Sequence, residues 1–531
     1  MAECDLSFDS ATVIDGTGRA PFTANVGVSD GIIAAITTEP LAAREHVNAV
    51  GKVVCPGFID LHSHADFSIQ GAASSETQLT QGVTTLVTGN CGFSPFPVID
   101  LDMMRESIGF MDTSGTTFDW TDLRGFRRAI NAAHPAVNIA PQVGHNALRI
   151  AALGMERRPP TEPEFALMQT MLEQAADDGA FGFTSGLIYT PGVFADPEEL
   201  RTLAATAHRH GMLYSTHMRN ETNRLVDAVD EALDVARATG VRLEISHLKA
   251  MGPENHGTVV DALDRIEAAR AEGVDATTDV YPYTASSTTL TSRMPPWAMD
   301  GGPEALVRRL AHAETRAKIA GELAARFGHD IDPAGVIIAD LPAGRYSWAV
   351  GHSLVDIGAR EGCTAQEAAL RVLEHHHAAV SIINHSMAEA DVRTILRHPI
   401  TAVASDGWIL DMSREGNPHP RSFGTFTRVL GHYARETDVL DLVEAVRKMT
   451  SLPASRIGLA RRGRVATGAI ADLVMFDPIT VADRSTYQSP WQLSVGIERV
   501  LVAGVTALND GRPTGARAGS VLDRRTEAAH A

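Results

Sequence analysis

GFIDLHSH (57–64) is an apolar run that ends on two histidines, His62 and His64, spaced two residues apart. The same shape recurs along the middle of the chain in GVTTLVTGNCG (82–92), AVNIAPQVGH (136–145), FGFTS (181–185), MLYSTH (212–217), VRLEISH (241–247), VDATTDV (274–280) and ITAVASD (400–406). Helical patterns separate these β-type runs. In EPEFALMQTMLEQAADDG (162–179), Phe165, Met168, Leu172 and Ala175 return at helical spacing and Gly179 supplies the stop. Strand–helix alternation repeated about eight times predicts an α/β fold, a (β/α)₈ TIM-like barrel.

Outward from the barrel, both chain ends are β-rich. Asp15-Gly16, Thr17-Gly18 and Asp30-Gly31 break short apolar runs near the start, and ADLVMFD (471–477) and RVLVAGV (499–505) repeat the style near the end. Asp-Gly between apolar runs signals a hairpin, because the turn needs positive φ. Neither end can bury a good core alone, so the two are expected to pair into one small β-sandwich domain, residues 1–56 with 458–531, around a catalytic barrel over 57–457. Residues 290–350 read as an insertion after the seventh strand and a candidate lid over the barrel mouth. VSIINHS (380–386) is an extra strand, and 400–406 is the eighth barrel strand.

The 531 residues carry 46 Lys+Arg against 65 Asp+Glu, a net charge of −19. That balance argues against nucleic acid or an anionic membrane as the main partner, while leaving room for one local cationic pocket. Four cysteines are too few for a disulfide framework. The acidic start lacks a signal-peptide pattern, and no apolar run is long enough for a membrane span. A reducing cytoplasm is the expected location.

The chemistry-bearing side chains fall at strand ends. His62 and His64 close the first run, Cys91 the second, His217 the fifth, His247 the sixth and Asp406 the eighth. In a barrel these ends converge on the C-terminal mouth, where active sites lie. A lone histidine there reads as a hydrogen-bonding residue and a lone buried cysteine as packing. Together they read as a metal centre, and imidazole with thiolate suits zinc.

PGFIDLHSHAD, GVTTLVTGNCGFSP, STHMRNE, ISHLK, ASDG and HPRSFGTFTRVLG resemble the amidohydrolase superfamily and, within it, the N-acyl-D-amino-acid deacylases (D-aminoacylases), over almost the whole chain. The resemblance implies a tight zinc site at Cys91, His217 and His247. It also implies a second, weaker or optional site near His62 and His64, with Cys91 as the bridge. Many relatives bridge with a carboxylated lysine; Cys91 takes that place here, so Lys249 is not assigned that modification. Asp406 is the expected general base, taking a proton from the attacking water and passing it to the leaving amine.

By resemblance, Lys249 and Arg421 hold the substrate α-carboxylate with Tyr283 or Ser287, and Tyr189 lies near the scissile acyl group. Tyr281 competes with Tyr283 for that role. Arginine suits it because its planar fork meets a carboxylate with two hydrogen bonds. His145 reads as a loop residue and the HHH run at 375–377 as a helix end. The expected reaction is zinc-dependent hydrolysis of an N-acyl-D-amino acid to a carboxylate and a free D-amino acid. The alternatives are a cyclic amidase of the dihydropyrimidinase or hydantoinase kind and a non-catalytic scaffold of the same descent. Glycoside hydrolysis would need a second strand-end carboxylate paired with Asp406.

Overall fold

The computed structural model describes residues 3–528. Eight parallel strands form the barrel: β1 (Phe58–Asp60), β2 (Val83–Thr88), β3 (Asn138–Gly144), β4 (Gly182–Gly186), β5 (Leu213–His217), β6 (Arg242–Ile245), β7 (Ala276–Val280) and β8 (Thr401–Val403). They pair in chain order from β1 to β8. Closure between first and last comes just past the strands, where Asp406 N–H donates to His62 O at 2.8 Å and His64 N–H to Gly407 O at 2.9 Å. The bonds that close the barrel therefore also set the backbone of three site residues. Asp60 reinforces the seam, its carboxylate accepting from Ser405 N–H at 2.8 Å.

Helices wrap the barrel as their patterns predict. Glu162–Asp177 is capped by a reciprocal Thr161–Glu164 capping box, buries Met168, Leu172 and Ala175, and stops before Gly179, whose φ is +90°.

The two chain ends share one nine-stranded sheet. Leu473–Phe476 pairs antiparallel with Val53–Pro56, which in turn lies beside Cys4–Val13. Phe22–Ser29 and Ile32–Thr37 form the predicted hairpin, with Asp30 at φ +50° and Gly31 at +77°. The sheet folds over until Ile32 meets Ile470, enclosing Phe8, Val26, Ile33, Leu473, Met475 and Leu501 in a separate core.

Between β7 and β8 a further unit begins and ends on one small sheet. Its central strand, Ser381–His385, pairs antiparallel with both Ala285–Thr289 and Val336–Asp340. Helices Gly302–Leu310, Ala313–Ala324, Leu354–Glu361 and Ala365–His375 pack on it around Leu306, Ile319, Ile338, Leu370 and Ile382. The inserted unit thus runs well beyond the expected 290–350, and the strand expected near 380–386 is its middle strand. The reason is physical: its strands pair only with one another, a long-range choice that local patterning does not carry. No helix among the described residues is long and apolar enough to cross a membrane.

Candidate metal centre

The C-terminal ends of β1, β2, β5, β6 and β8 deliver their polar side chains to one point. Cys91, His247 and Asp406 all adopt left-handed backbone, at φ +55°, +37° and +51°. Non-glycine residues pay about 1–3 kcal/mol each for such geometry, and it persists at functional sites where it aims a side chain. Here it turns each side chain back over the mouth directly after its strand.

Two potential ligand groups share Cys91. One comprises His62, His64, Cys91 and Asp406, the other Cys91, His217 and His247; within each group all ligand atoms lie within 4.8 Å of one another. Cys91 Sγ is 3.3 Å from His62 Nε2, 3.6 Å from His217 Nδ1 and 3.4 Å from His247 Nε2. Zinc bonds of about 2.3 Å to sulfur and about 2.05 Å to nitrogen, at a tetrahedral angle, would hold S and N about 3.6 Å apart. The donors present therefore fit zinc in both type and spacing. Burial pushes the Cys91 thiol well above its ordinary range and pulls the His62 imidazole down to about 3. The histidine is thereby kept as a neutral donor, and a thiolate here calls for a neighbouring cation.

Asp406 Oδ1 lies 3.1 Å from His64 Nε2 and 3.4 Å from His62 Nε2, and Oδ2 accepts from Arg421 Nη1 at 2.7 Å. Burial alone would raise its carboxyl, but Arg421 and the imidazoles of His62 and His247 hold it well below the usual carboxylate range. It is an anion poised between the ligand groups and a guanidinium. Arg421 also donates to Ser287 O at 3.1 Å, and its Nε has no partner.

Two adjoining cavities lie at the mouth, and the smaller opens on the centre. The smaller, about 100 Å³, is bounded by His64, Cys91, Ser287, Asp406, Trp408 and Arg421. The larger, about 570 Å³, extends across the loops after β4 to β7 to the inserted unit, reaching Arg219, Glu221, Met251 and Arg293. Tyr189 and Phe93 border both. The Tyr189 hydroxyl pairs with Thr288 Oγ1 at 2.9 Å and its ring lies edge-on to His217 at 5.0 Å.

Two of the expected substrate contacts sit elsewhere. Lys249 Nζ is 2.5 Å from Glu221 Oε1, 2.7 Å from His247 Nδ1 and 2.8 Å from His247 O, behind His247 and outside both cavities. A carboxylate already satisfies the charge expected to meet substrate. Tyr283 points away, its hydroxyl donating to Pro420 O at 3.4 Å beneath the guanidinium of Arg428. Its neighbour Tyr281 is the tyrosine beside the centre: its buried hydroxyl has no partner, and its ring lies 5.0 Å from the Arg421 guanidinium.

Sequence reasoning missed the buried acids behind the histidines. Glu221 lies 3.2 Å from His247 Nδ1 and 3.4 Å from His217 Nε2, and Asp279 accepts from His247 N–H at 2.8 Å. The available signals were the spacing of Glu221, one helical turn after His217, and the place of Asp279 at the end of β7. His145 turns from the mouth to Glu199 at 2.6 Å, and His376 accepts from Tyr346 N–H at 3.2 Å at a helix end.

The amidohydrolase family model matches residues 45–507. N-acyl-D-glutamate deacylase of Alcaligenes xylosoxydans xylosoxydans is 38% identical over 527 residues, 98% of this chain and 96% of that one. D-aminoacylase of the same organism is 36% identical, covering 98% of each chain. The crystal structure of N-acyl-D-glutamate deacylase from Bordetella bronchiseptica, complexed with zinc and a phosphonate mimic of the tetrahedral intermediate, superposes with a TM-score of 0.85 at 37% identity, over 98% of this chain and 100% of that one. With a family match across most of its length and relatives this similar end to end, the chain belongs to the amidohydrolase family.

Proposed function

We propose that this protein is a zinc-dependent hydrolase of N-acyl-D-amino acids, releasing a carboxylate and a free D-amino acid. The observation that carries the reading is the pair of ligand groups sharing Cys91 with Asp406 at their edge. Cys91, His217 and His247 hold the tight zinc, and His62 and His64 with Cys91 form a weaker second position. A bound zinc supplies Lewis-acid activation of water and polarises the amide carbonyl. The chain's own residues do the rest. Asp406 takes a proton from the attacking water as its oxygen bonds to the carbonyl carbon, then delivers that proton to the amide nitrogen as the C–N bond breaks. Arg421, at the edge of the smaller cavity with Nε free, holds the α-carboxylate beside Ser287. The D configuration rests on the deacylases named above. A cyclic-amide hydrolase is the lesser reading, because a cysteine takes the bridging position and Lys249 is engaged by Glu221.

The side-chain preference follows from Arg293. It is 5% exposed, borders the larger cavity, and its guanidinium makes no hydrogen bond or ion pair among the described residues. An unpaired buried cation is costly, so the site calls for an anion. The natural occupant is an acidic substrate side chain, as in N-acyl-D-glutamate. Arg293, Met294, Pro296 and Arg326 come from the inserted unit, which supports its reading as a cover for the mouth.

Metal-quantified protein assayed on N-acetyl-D- and L-amino acids tests the activity. D-substrates are expected to be cleaved, with loss on chelation and recovery on zinc addition; L-preference or full turnover without metal would overturn it. Arg293→Leu tests the preference. It should lower kcat/KM for N-acetyl-D-glutamate about ten- to a hundredfold, the worth of a hydrogen bond to a charged group, and spare N-acetyl-D-leucine. An equal effect on both substrates removes the role.

A further inference from the structure

His419 joins two parts of the mouth that lie far apart in the chain. It sits buried on the loop after β8, and both of its ring nitrogens are engaged. Nδ1 accepts from Arg421 N–H at 3.0 Å, and Nε2 donates to Ala285 O at 2.9 Å. A backbone N–H only donates and a carbonyl only accepts, so these partners leave one state of the ring, neutral with its proton on Nε2. Burial, and after it the Arg421 guanidinium, hold the imidazole well below its ordinary range, in keeping with that state. The rings of Tyr281, Tyr283 and Tyr487 stand edge-on to it at 6.2, 5.3 and 5.2 Å and fix its plane.

Both bonds bear on Arg421. That residue opens the helix Arg421–Arg428, and an N–H in a first turn has no carbonyl of its own helix to meet. His419 supplies the acceptor. Its other partner, Ala285, begins the strand Ala285–Thr289, and two residues further along Ser287 O accepts from Arg421 Nη2 at 3.1 Å. One strand thus grips the arginine at both ends, its backbone through His419 and its guanidinium directly. His419, Ser287 and Arg421 all border the smaller cavity. An apolar ring would fill the same space but leave the Arg421 N–H without its acceptor. We propose that His419 is a positioning residue that sets where the Arg421 guanidinium meets the substrate α-carboxylate, by tying the start of its helix to Ala285–Thr289. The proposal rests on the reading of Arg421 given above.

The test compares ligands that differ only at the α-carboxylate. KM for N-acetyl-D-glutamate and the inhibition constant of its α-carboxamide, which keeps the side-chain carboxylate, are measured on the zinc-loaded full chain. The proteins are wild type, Arg421→Ala, His419→Asn and His419→Gln. Asparagine keeps an acceptor for the N–H two residues on and loses the donor to Ala285 O. Glutamine keeps a donor with the reach for Ala285 O and loses that acceptor. Each variant spares one bond, so either one serves should the other not fold. Each is expected to raise KM for the acid about three- to tenfold, the worth of one ordinary hydrogen bond. The change in kcat should be smaller, and zinc content and the inhibition constant of the amide should hold. A merely structural role would move kcat, zinc content and both ligands together. Wild-type KM in the His419 variants, or equal losses for acid and amide, alongside selective loss of the acid in Arg421→Ala, overturn the positioning role and leave that of Arg421 standing. Equal losses for both ligands in Arg421→Ala overturn the role of Arg421 itself, and that of His419 with it.

Discussion

Asp406 combines three constraints that seldom meet in one residue: left-handed backbone at φ +51°, burial, and a 2.7 Å bond to Arg421. The backbone strain and the burial of the charge are costs, and the Arg421 guanidinium offsets the second by stabilising the carboxylate as an anion. Asp406→Asn keeps the shape and removes the proton acceptor. It is expected to retain bound zinc, measured by elemental analysis, and to lose about 10²- to 10⁴-fold in kcat, the usual worth of a positioned base. Near-normal turnover in a zinc-loaded Asp406→Asn protein would remove Asp406 from the chemistry. At this scale the convergence of His62, His64, Cys91, His217, His247 and Asp406 on one point was legible because each is marked by its side-chain type at a strand end. Glu221, Tyr281 and Arg293 were not. Their roles depend on what lies behind or beside them, and the residues that do so are distant in the chain.

At the scale of elements, the strand–helix alternation that reads as a barrel is matched strand by strand. Seams between elements are fixed by polar pairs that alternation does not reveal. The helix His145–Leu153 is pinned to Pro197–Arg209 by Glu199, which accepts from Arg149 Nη1 at 2.7 and 2.6 Å and pairs with His145 at 2.6 Å. Arg149 is fully buried. Glu199→Ala would leave that guanidinium with only the carbonyl of Arg158. The expected cost is about 3–5 kcal/mol in urea unfolding, since breaking a buried pair strands the remaining charge. A loss under about 1 kcal/mol would mean that water enters and replaces the carboxylate. His145 stood at a strand end like the metal-type histidines, and only its partner separates it from them. The inserted unit has the same lesson, since its boundaries follow from the pairing of Ser381–His385 with Ala285–Thr289 across nearly a hundred residues of chain.

Across the whole molecule, an acidic chain of net charge −19 places a buried arginine on each of two adjoining cavities. Arg421 borders the smaller cavity and Arg293 the larger, on either side of the shared Tyr189 and Phe93. Such an arrangement can draw in a small dianion while the acidic exterior disfavours extended polyanions.

The sequence by itself determined the barrel, the pairing of the two chain ends, and the ligand types at the mouth. Hydrophobic periodicity, Asp-Gly turns and donor chemistry are local properties, readable from a few neighbouring residues. Only the tertiary structure decided which charges are already spent and which are free. Lys249 was expected to meet substrate and is held by Glu221, while Arg293, which no local sequence pattern marks, stands unpaired at the cavity wall. Whether a charge is available depends on every group within a few ångströms of it, and in a barrel those groups arrive from different strands.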